Sequence, residues 1–169
     1  MKILIIGPDR SGKTSVATML ADELGLQASE TSDIIMMKLA EFYSRSAPDK
    51  DVKSWARTIH VCKEEFRGEL TALGDILTQV SPTYLVDEAS KRGEIVVGLR
   101  RRQELFGYIN SVPERVRETI LIRVSAPVYQ ADFELNHCPC DYEVRNDGDM
   151  NGLRTQISAV ANAIRSRAA

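Results

Sequence analysis

Long apolar runs are missing from this chain: none exceeds four residues, and Ile3-Leu4-Ile5-Ile6 is one of that length. A membrane-spanning helix needs about twenty, so neither a membrane span nor a signal-peptide core is expected. Cysteine is scarce, 3 among 169 residues, which argues against a disulfide framework and suits a reducing cytosol. Neither sign of charge dominates, since 22 Lys and Arg stand against 24 Asp and Glu for a net charge of −2. So weak a field does not support non-specific nucleic-acid binding, and leaves room only for a local basic patch. Repeats and low-complexity segments are absent as well. What is present, 43% apolar and 27% charged residues, is the mix of an ordinary globular protein of one domain, expected to be cytoplasmic.

Residues 2–6 read as a strand buried on both faces, because no polar residue interrupts the apolar run before Gly7. Val16, Met19, Leu20 and Leu24 follow at helical spacing and stop at Gly25. A short strand is expected around Leu26 to Ser29, then a helix capped by Ser32 and carrying Ile35, Leu39 and Phe42. Residues 46–52 form a loop. From Trp55 through Ile59, Cys62, Phe66, Leu70 and Leu73 to Leu77 runs the most regular helical periodicity in the chain, with Cys62 on its apolar stripe. Ser81-Pro82 opens another helix reaching about Arg92. Ile95-Val96-Val97 reads as a buried strand ending at Gly98, followed by a helix near 102–110 and a strand over 119–124. Residues 125–142 look irregular; Tyr142 to Arg145 reads as a last strand, Asn146-Asp147-Gly148 as a turn, and 150–166 as an amphipathic helix. Strands alternate with helices and no hairpin joins them, which predicts an α/β fold of about five parallel strands wrapped by helices on both faces.

The segment Gly7-Pro8-Asp9-Arg10-Ser11-Gly12-Lys13-Thr14 fits G-x-x-x-x-G-K-[ST] and lies between the first strand and the first helix. In that setting backbone amides and a helix N-terminus converge on phosphate oxygens. The stretch from Gly7 to Ser15 is therefore expected to cradle ATP, with Lys13 at the β- and γ-phosphates and Thr14 on Mg²⁺. A guanine-reading Asn/Thr-Lys-x-Asp motif is absent. Leu85-Val86-Asp87-Glu88 imitates the strand-end carboxylate of ATPase motors, but falls where the pattern reads as a surface helix, and the strand over 95–97 ends in glycine.

Beyond the loop the chain resembles the P-loop nucleoside monophosphate kinase superfamily, and within it the phage deoxynucleoside monophosphate kinases. The resemblance lies in Arg67-Gly-Glu-Leu-Thr-Ala-Leu-Gly-Asp75, in Val96-Val97-Gly98-Leu99-Arg100-Arg101-Arg102-Gln103-Glu104, and in the Asn146-Asp147-Gly148 turn before the last helix. It implies a single kinase domain over 1–169, an acceptor-binding helical part over about 32–92 and a reduced lid over about 125–142. It also implies an adenine-side contact at Asn146. Asp9-Arg10 is similar to the Asp-Arg pair in the P-loop of some thymidylate kinases, which implies that Arg10 faces the γ-phosphate and Asp9 the acceptor sugar. Thr31-Ser32-Asp33-Ile34-Ile35 resembles the D-x-D-x-I segment of dephospho-coenzyme A kinases, with Asp33 at its second acid.

The residue chemistry agrees with these implications. An acceptor and ATP bring many negative oxygens together, so the site needs several cations. Arg100, just past a strand's C-terminal end, and Arg67 are the candidates for gripping an acceptor phosphate. Asp33 would accept a proton from a hydroxyl acceptor, or else stabilise its helix N-terminus; Asp75 divides the same way. One departure stands out: residues 124–144 hold no Lys or Arg where such kinases carry lid arginines, but do hold Asp132, Glu134, Asp141 and Glu143. His137, Cys138 and Cys140, with His60 and Cys62 elsewhere, offer soft ligands at C-x-C rather than C-x₂-C spacing.

The leading expectation is an ATP- and Mg²⁺-dependent kinase of a small-molecule nucleotide, a deoxynucleoside monophosphate, with no membrane partner and its oligomeric state open. Two alternatives stand beside it. One is a phage kinase acting on a hydroxymethylated pyrimidine (5-hydroxymethyluracil) within DNA, for which the eight basic against four acidic residues of 91–123 would meet the backbone. The other is a regulatory module that hydrolyses nucleotide slowly.

Overall fold

A computed structural model describes residues 1–47, 49–127 and 134–168. The elements in chain order are β1 (Lys2–Ile6), α1 (Lys13–Leu24), β2 (Ala28–Glu30), α2 (Thr31–Ser46), α3 (Val52–Val61), α4 (Arg67–Val80) and α5 (Tyr84–Arg92). There follow β3 (Ile95–Val97), α6 (Arg102–Asn110), α7 (Pro113–Glu118), β4 (Thr119–Ser125), β5 (Tyr142–Arg145) and α8 (Met150–Ala168). The sheet has the order β2-β3-β1-β4-β5 and every pairing is parallel, so the fold is α/β as the alternation predicts.

Central placement explains the unbroken apolar run of β1. Ile3 pairs with Ile95 on one side and Ile120 on the other, and Ile3 through Ile6 are all fully buried. Ile3 and Ile5 face a core built with α1 and α8, including Leu20, Ile122, Ile157 and Ile164. Leu4 and Ile6 face a second core with Leu85, Val86, Leu105 and Tyr108 from α5 and α6. Both sheet faces thus turn away from water. The chain leaves the neighbouring strands β1 and β3 toward helices on opposite faces, α1 and α6, and a crevice opens at their carboxyl ends, where open α/β sheets take ligands.

Several local expectations change. The periodic run from Trp55 to Leu77 is two helices, α3 and α4, with a turn over 62–66 between them. Cys62 sits half-buried at the end of α3 rather than in a core. The run keeps its apolar phase because both helices pack on one small cluster of Met36, Leu39, Ala40 and Ile59, where Tyr43 stacks on Trp55 at 4.8 Å. Phe42 turns outward from α2, whose inner face is Ile34, Met36, Leu39 and Ala40. Glu30, not Ser32, holds the N-cap position of α2. Helix α7, opened by Pro113, carries no apolar stripe for the sequence to reveal. The Asp87-Glu88 pair lies on α5, where Asp87 meets Arg115 at 3.0 Å and Glu88 meets Lys91 at 2.5 Å.

Candidate active site

The loop from β1 to α1 is shaped by its backbone. A Cβ on Gly7 would lie 2.3 Å from the Val124 carbonyl oxygen of β4, so only glycine lets the chain turn so close to the sheet. Gly12, at φ +90°, precedes α1, whose first turn has no side-chain cap and no acidic residue. Its leading amides are therefore left for an anion. Arg10 is the one non-glycine residue with positive φ among the described residues, at +61°. The Lys13 ammonium folds onto the Pro8 carbonyl oxygen. Burial holds its pKa below the ordinary lysine value and nearby Arg100 acts the same way, while the Asp9 and Glu30 carboxylates oppose the shift.

This loop forms one wall of a cavity of about 310 Å³. Gly7, Asp9, Arg10, Lys13 and Thr14 line it from the loop, and the opposite wall is one face of α4: Arg67, Leu70, Thr71, Gly74, Asp75 and Thr78. Arg100 and Arg101, on the loop after β3, close the space between. The cavity thus gathers Gly7, Asp9, Arg10, Lys13, Thr14, Arg67, Asp75 and Arg100 from the sequence-derived set. Pro8, Ser11, Gly12 and Ser15 do not line it; Ser11 is fully buried beneath the loop, its hydroxyl without a partner among the described residues.

Three cations of the cavity, Arg67, Arg100 and Arg101, are already paired with carboxylates. Arg67, at its exposed lip, makes a two-pronged contact with Glu64, including Nε to Oε2 at 2.8 Å. Arg100 approaches Asp9 at 3.4 Å, and Arg101 bonds Asp75 across the cavity. Arg101 is the more sheltered of the two, 32% exposed against 69% for Arg100. Beneath them the buried Glu104 carboxylate accepts the Arg100 amide at 2.8 Å, the Arg101 amide at 3.2 Å and the Thr78 hydroxyl at 3.3 Å. One carboxylate thereby sets the path of both arginines and ties their loop to α4.

Glu30, like Arg101, is a residue that reading the sequence missed. It ends β2, accepts the Thr14 hydroxyl at 2.7 Å and the Ser32 hydroxyl at 3.0 Å, and lines the cavity. The signal available was a carboxylate at the carboxyl end of a parallel strand, a position that faces the ligand crevice. Asp33, by contrast, lies in an adjoining cavity of about 310 Å³ with His60, Lys63 and Glu30. Desolvation by the surrounding wall and then the Glu30 charge raise its pKa above the usual carboxylate value, against the pull of Lys63, His60 and Arg92. The structure does not bring Asp33 into the cleft with Lys13 and Arg100.

Of the expected lid, residues 128–133, with Asp132, lie outside the described residues. The acids that are described serve the scaffold. Glu134 accepts the Arg102 amide at 3.1 Å, Asp141 accepts the Leu121 amide and an Arg167 N–H, each at 2.8 Å, and Glu143 accepts the Ser125 hydroxyl at 3.1 Å. Among the described residues no three of His, Cys, Asp and Glu converge as metal ligands, and Cys138 is packed in the core. Asn146 directs its amide to the backbone of the Gly7–Thr14 loop, donating to the Ser11 carbonyl at 3.0 Å. No described helix is long and apolar enough to cross a membrane.

No protein-family model matches the chain, and no curated protein does. Among solved structures the chain is similar to one from Chloroflexus aurantiacus J-10-fl described as a "putative kinase". Identity is 15%, the match covers 99% of this chain and 95% of that one, and the TM-score is 0.45. A similarity of that size transfers no function between the two chains, so the chemistry must be argued from the cleft.

Proposed function

We propose that the protein is an ATP- and Mg²⁺-dependent phosphotransferase whose acceptor is a nucleotide, a deoxynucleoside monophosphate. The observation that carries this reading is the convergence of the P-loop with Arg67, Arg100 and Arg101 on one cavity. Phosphoryl transfer asks a protein mainly to hold two anionic groups in line and to neutralise the charge between them. The P-loop and Lys13 hold the donor, Arg10 stands at the γ-phosphate, and Arg100, Arg101 and Arg67 take the acceptor phosphate by exchanging their present carboxylate partners for it. An oxygen of the acceptor phosphate attacks the γ-phosphorus, and the bond to the bridging oxygen of ADP breaks.

A phosphate acceptor needs no base. A hydroxyl acceptor, including a hydroxymethyl group on DNA, would need a carboxylate to take its proton, and Asp9 or Asp75 could serve once its arginine has turned to a phosphate. What favours the phosphate acceptor is the gathering of Arg67, Arg100 and Arg101 on the one cavity. The donor set also fits Mg²⁺. The Thr14 hydroxyl donates its hydrogen bond to Glu30, which leaves its oxygen lone pairs free, and the two would supply hard oxygen ligands beside Lys13. Bound there, the ion would neutralise the β- and γ-phosphate oxygens.

Labelled ATP with Mg²⁺, offered to each nucleoside monophosphate, to dephospho-coenzyme A and to hydroxymethylated DNA, tests the proposal. Transfer to a free deoxynucleoside monophosphate, with an acceptor KM that changes little between low and moderate salt, is expected. Label on DNA alone, with a steep salt dependence from displaced counterions, would replace the acceptor. Hydrolysis without any acceptor would remove the kinase reading.

A further inference from the structure

The Asn146 side chain points at the backbone of the Gly7–Thr14 loop. Its Nδ2 donates to the Ser11 carbonyl at 3.0 Å, 135 residues away in sequence. The fit is close, since a Cβ on Gly12 would lie 2.4 Å from that Nδ2. Gly12 is thus bare for two reasons, its φ of +90° and the amide resting on it. The position of Asn146 is fixed in turn. Its own N–H extends the β4–β5 ladder to the Ser125 carbonyl at 2.8 Å, and Gln156 on α8 clamps the amide and carbonyl of the preceding Arg145, each at 2.9 Å.

From this geometry we infer that Asn146 is a positioning residue for the phosphate cradle, aiming the Gly12 amide. The step from contact to function follows from peptide planarity. In a trans peptide the C=O of one residue and the N–H of the next point in opposite directions, and no cis bond occurs among the described residues. Turning the Ser11 carbonyl outward onto Asn146 therefore turns the Gly12 N–H inward, to where a triphosphate would lie. Without the donor, the Ser11 carbonyl loses its partner and that peptide plane is free to rotate. The inference rests on the P-loop reading above but makes a different claim from an adenine contact: Asn146 acts on phosphate, whatever base is attached.

The test measures equilibrium binding of ATP, GTP and inorganic triphosphate, each with Mg²⁺, to the wild-type chain, Asn146→Leu (near-isosteric, no donor) and Asn146→Ala, with thermal unfolding alongside. Both variants should bind all three ligands more weakly by the same factor, roughly tenfold, the scale of one lost hydrogen bond that leaves a partner unsatisfied. The Gly12 amide resonance should shift on adding inorganic triphosphate to wild type, and less in the variants. A loss confined to ATP, with inorganic triphosphate unaffected, would make Asn146 a base contact and overturn the inference. Unchanged binding of all three would overturn it too, as would a loss that merely tracks unfolding. If the wild-type chain binds none of the three while Lys13→Ala behaves identically, the P-loop reading itself fails, a result distinct from the others.

Discussion

The two walls of the cleft are built by different means. The wall proposed for the donor phosphates is a backbone structure: Gly7 under the Val124 carbonyl, Gly12 under Asn146, Arg10 in a left-handed turn, and amides at the head of α1. The wall proposed for the acceptor is a side-chain structure, in which arginines on the β3–α6 loop and on α4 are held by carboxylates from four different segments. A backbone cradle is set before its ligand arrives, whereas exposed ion pairs are individually weak and can change partner. The donor wall is thus preorganised and the acceptor wall exchangeable. Substitutions on the two sides should separate cleanly in their kinetics.

The largest effect is expected at Lys13. Lys13→Ala should reduce kcat/KM by roughly a thousandfold while the far-UV circular dichroism and Tm stay near wild type, because the ammonium contacts only the loop's own Pro8 carbonyl. Full activity in the folded variant would dissolve the distinction between the walls.

Next comes Arg10, which belongs to the backbone wall by its φ and, in the proposed reaction, to the chemistry by its charge. Arg10→Gly should lower kcat by about a hundredfold with little change in ATP affinity. It should also raise Tm, since glycine adopts a φ of +61° without the steric penalty. A fall in both Tm and ATP affinity would show that Arg10 serves the ground-state structure instead.

On the exchangeable wall, Arg101→Lys should raise the acceptor KM about tenfold and leave ATP binding unchanged, because an ammonium cannot copy the planar fork that trades Asp75 for a phosphate. Arg100→Lys should act in the same direction. An equal loss of ATP affinity would mean that these arginines hold the donor.

The smallest effect is expected at Asp33. Its pKa is raised in the folded state, so ionising it is harder there than in the unfolded chain. The contribution to stability is therefore present below the ordinary carboxylate value and is lost as pH rises through the folded one. Asp33→Asn should give a small increase in Tm at pH 7 that shrinks as the pH is lowered, with transfer activity retained. Lost transfer would return Asp33 to the chemistry.

This contrast also decides what could be read from the chain. The loop from Gly7 to Thr14 was legible because a backbone cradle needs its residues close together in sequence, and Ile3 to Ile6 announced a central strand because both faces are buried. On the proposed acceptor wall Arg67 and Arg100 were legible, whereas Arg101 and the pairings were not. Arg101 with Asp75, and Thr78 with Glu104, are each 26 residues apart, and nothing local links them. Glu30 escaped notice because β2 is only three residues long and its end was set one residue early. Asp33 lies three residues further on, already within α2, and its side chain lines the neighbouring cavity. The turn over 62–66 stayed hidden because α3 and α4 share one apolar cluster, which preserves the helical phase across the break.

The most direct test of the central claim, that donor and acceptor phosphates share one cavity with differently built walls, is the binding of a bisubstrate ligand. Adenosine joined through five phosphates to a deoxynucleoside should bind more tightly than ATP, with a single site per chain in a calorimetric titration. Lys13→Ala should weaken both ligands, whereas Arg101→Lys should weaken the joined ligand and leave ATP untouched. If the joined ligand binds no better than ATP, and Arg101→Lys shifts both or neither, the two phosphates do not meet in this cleft and the account is contradicted.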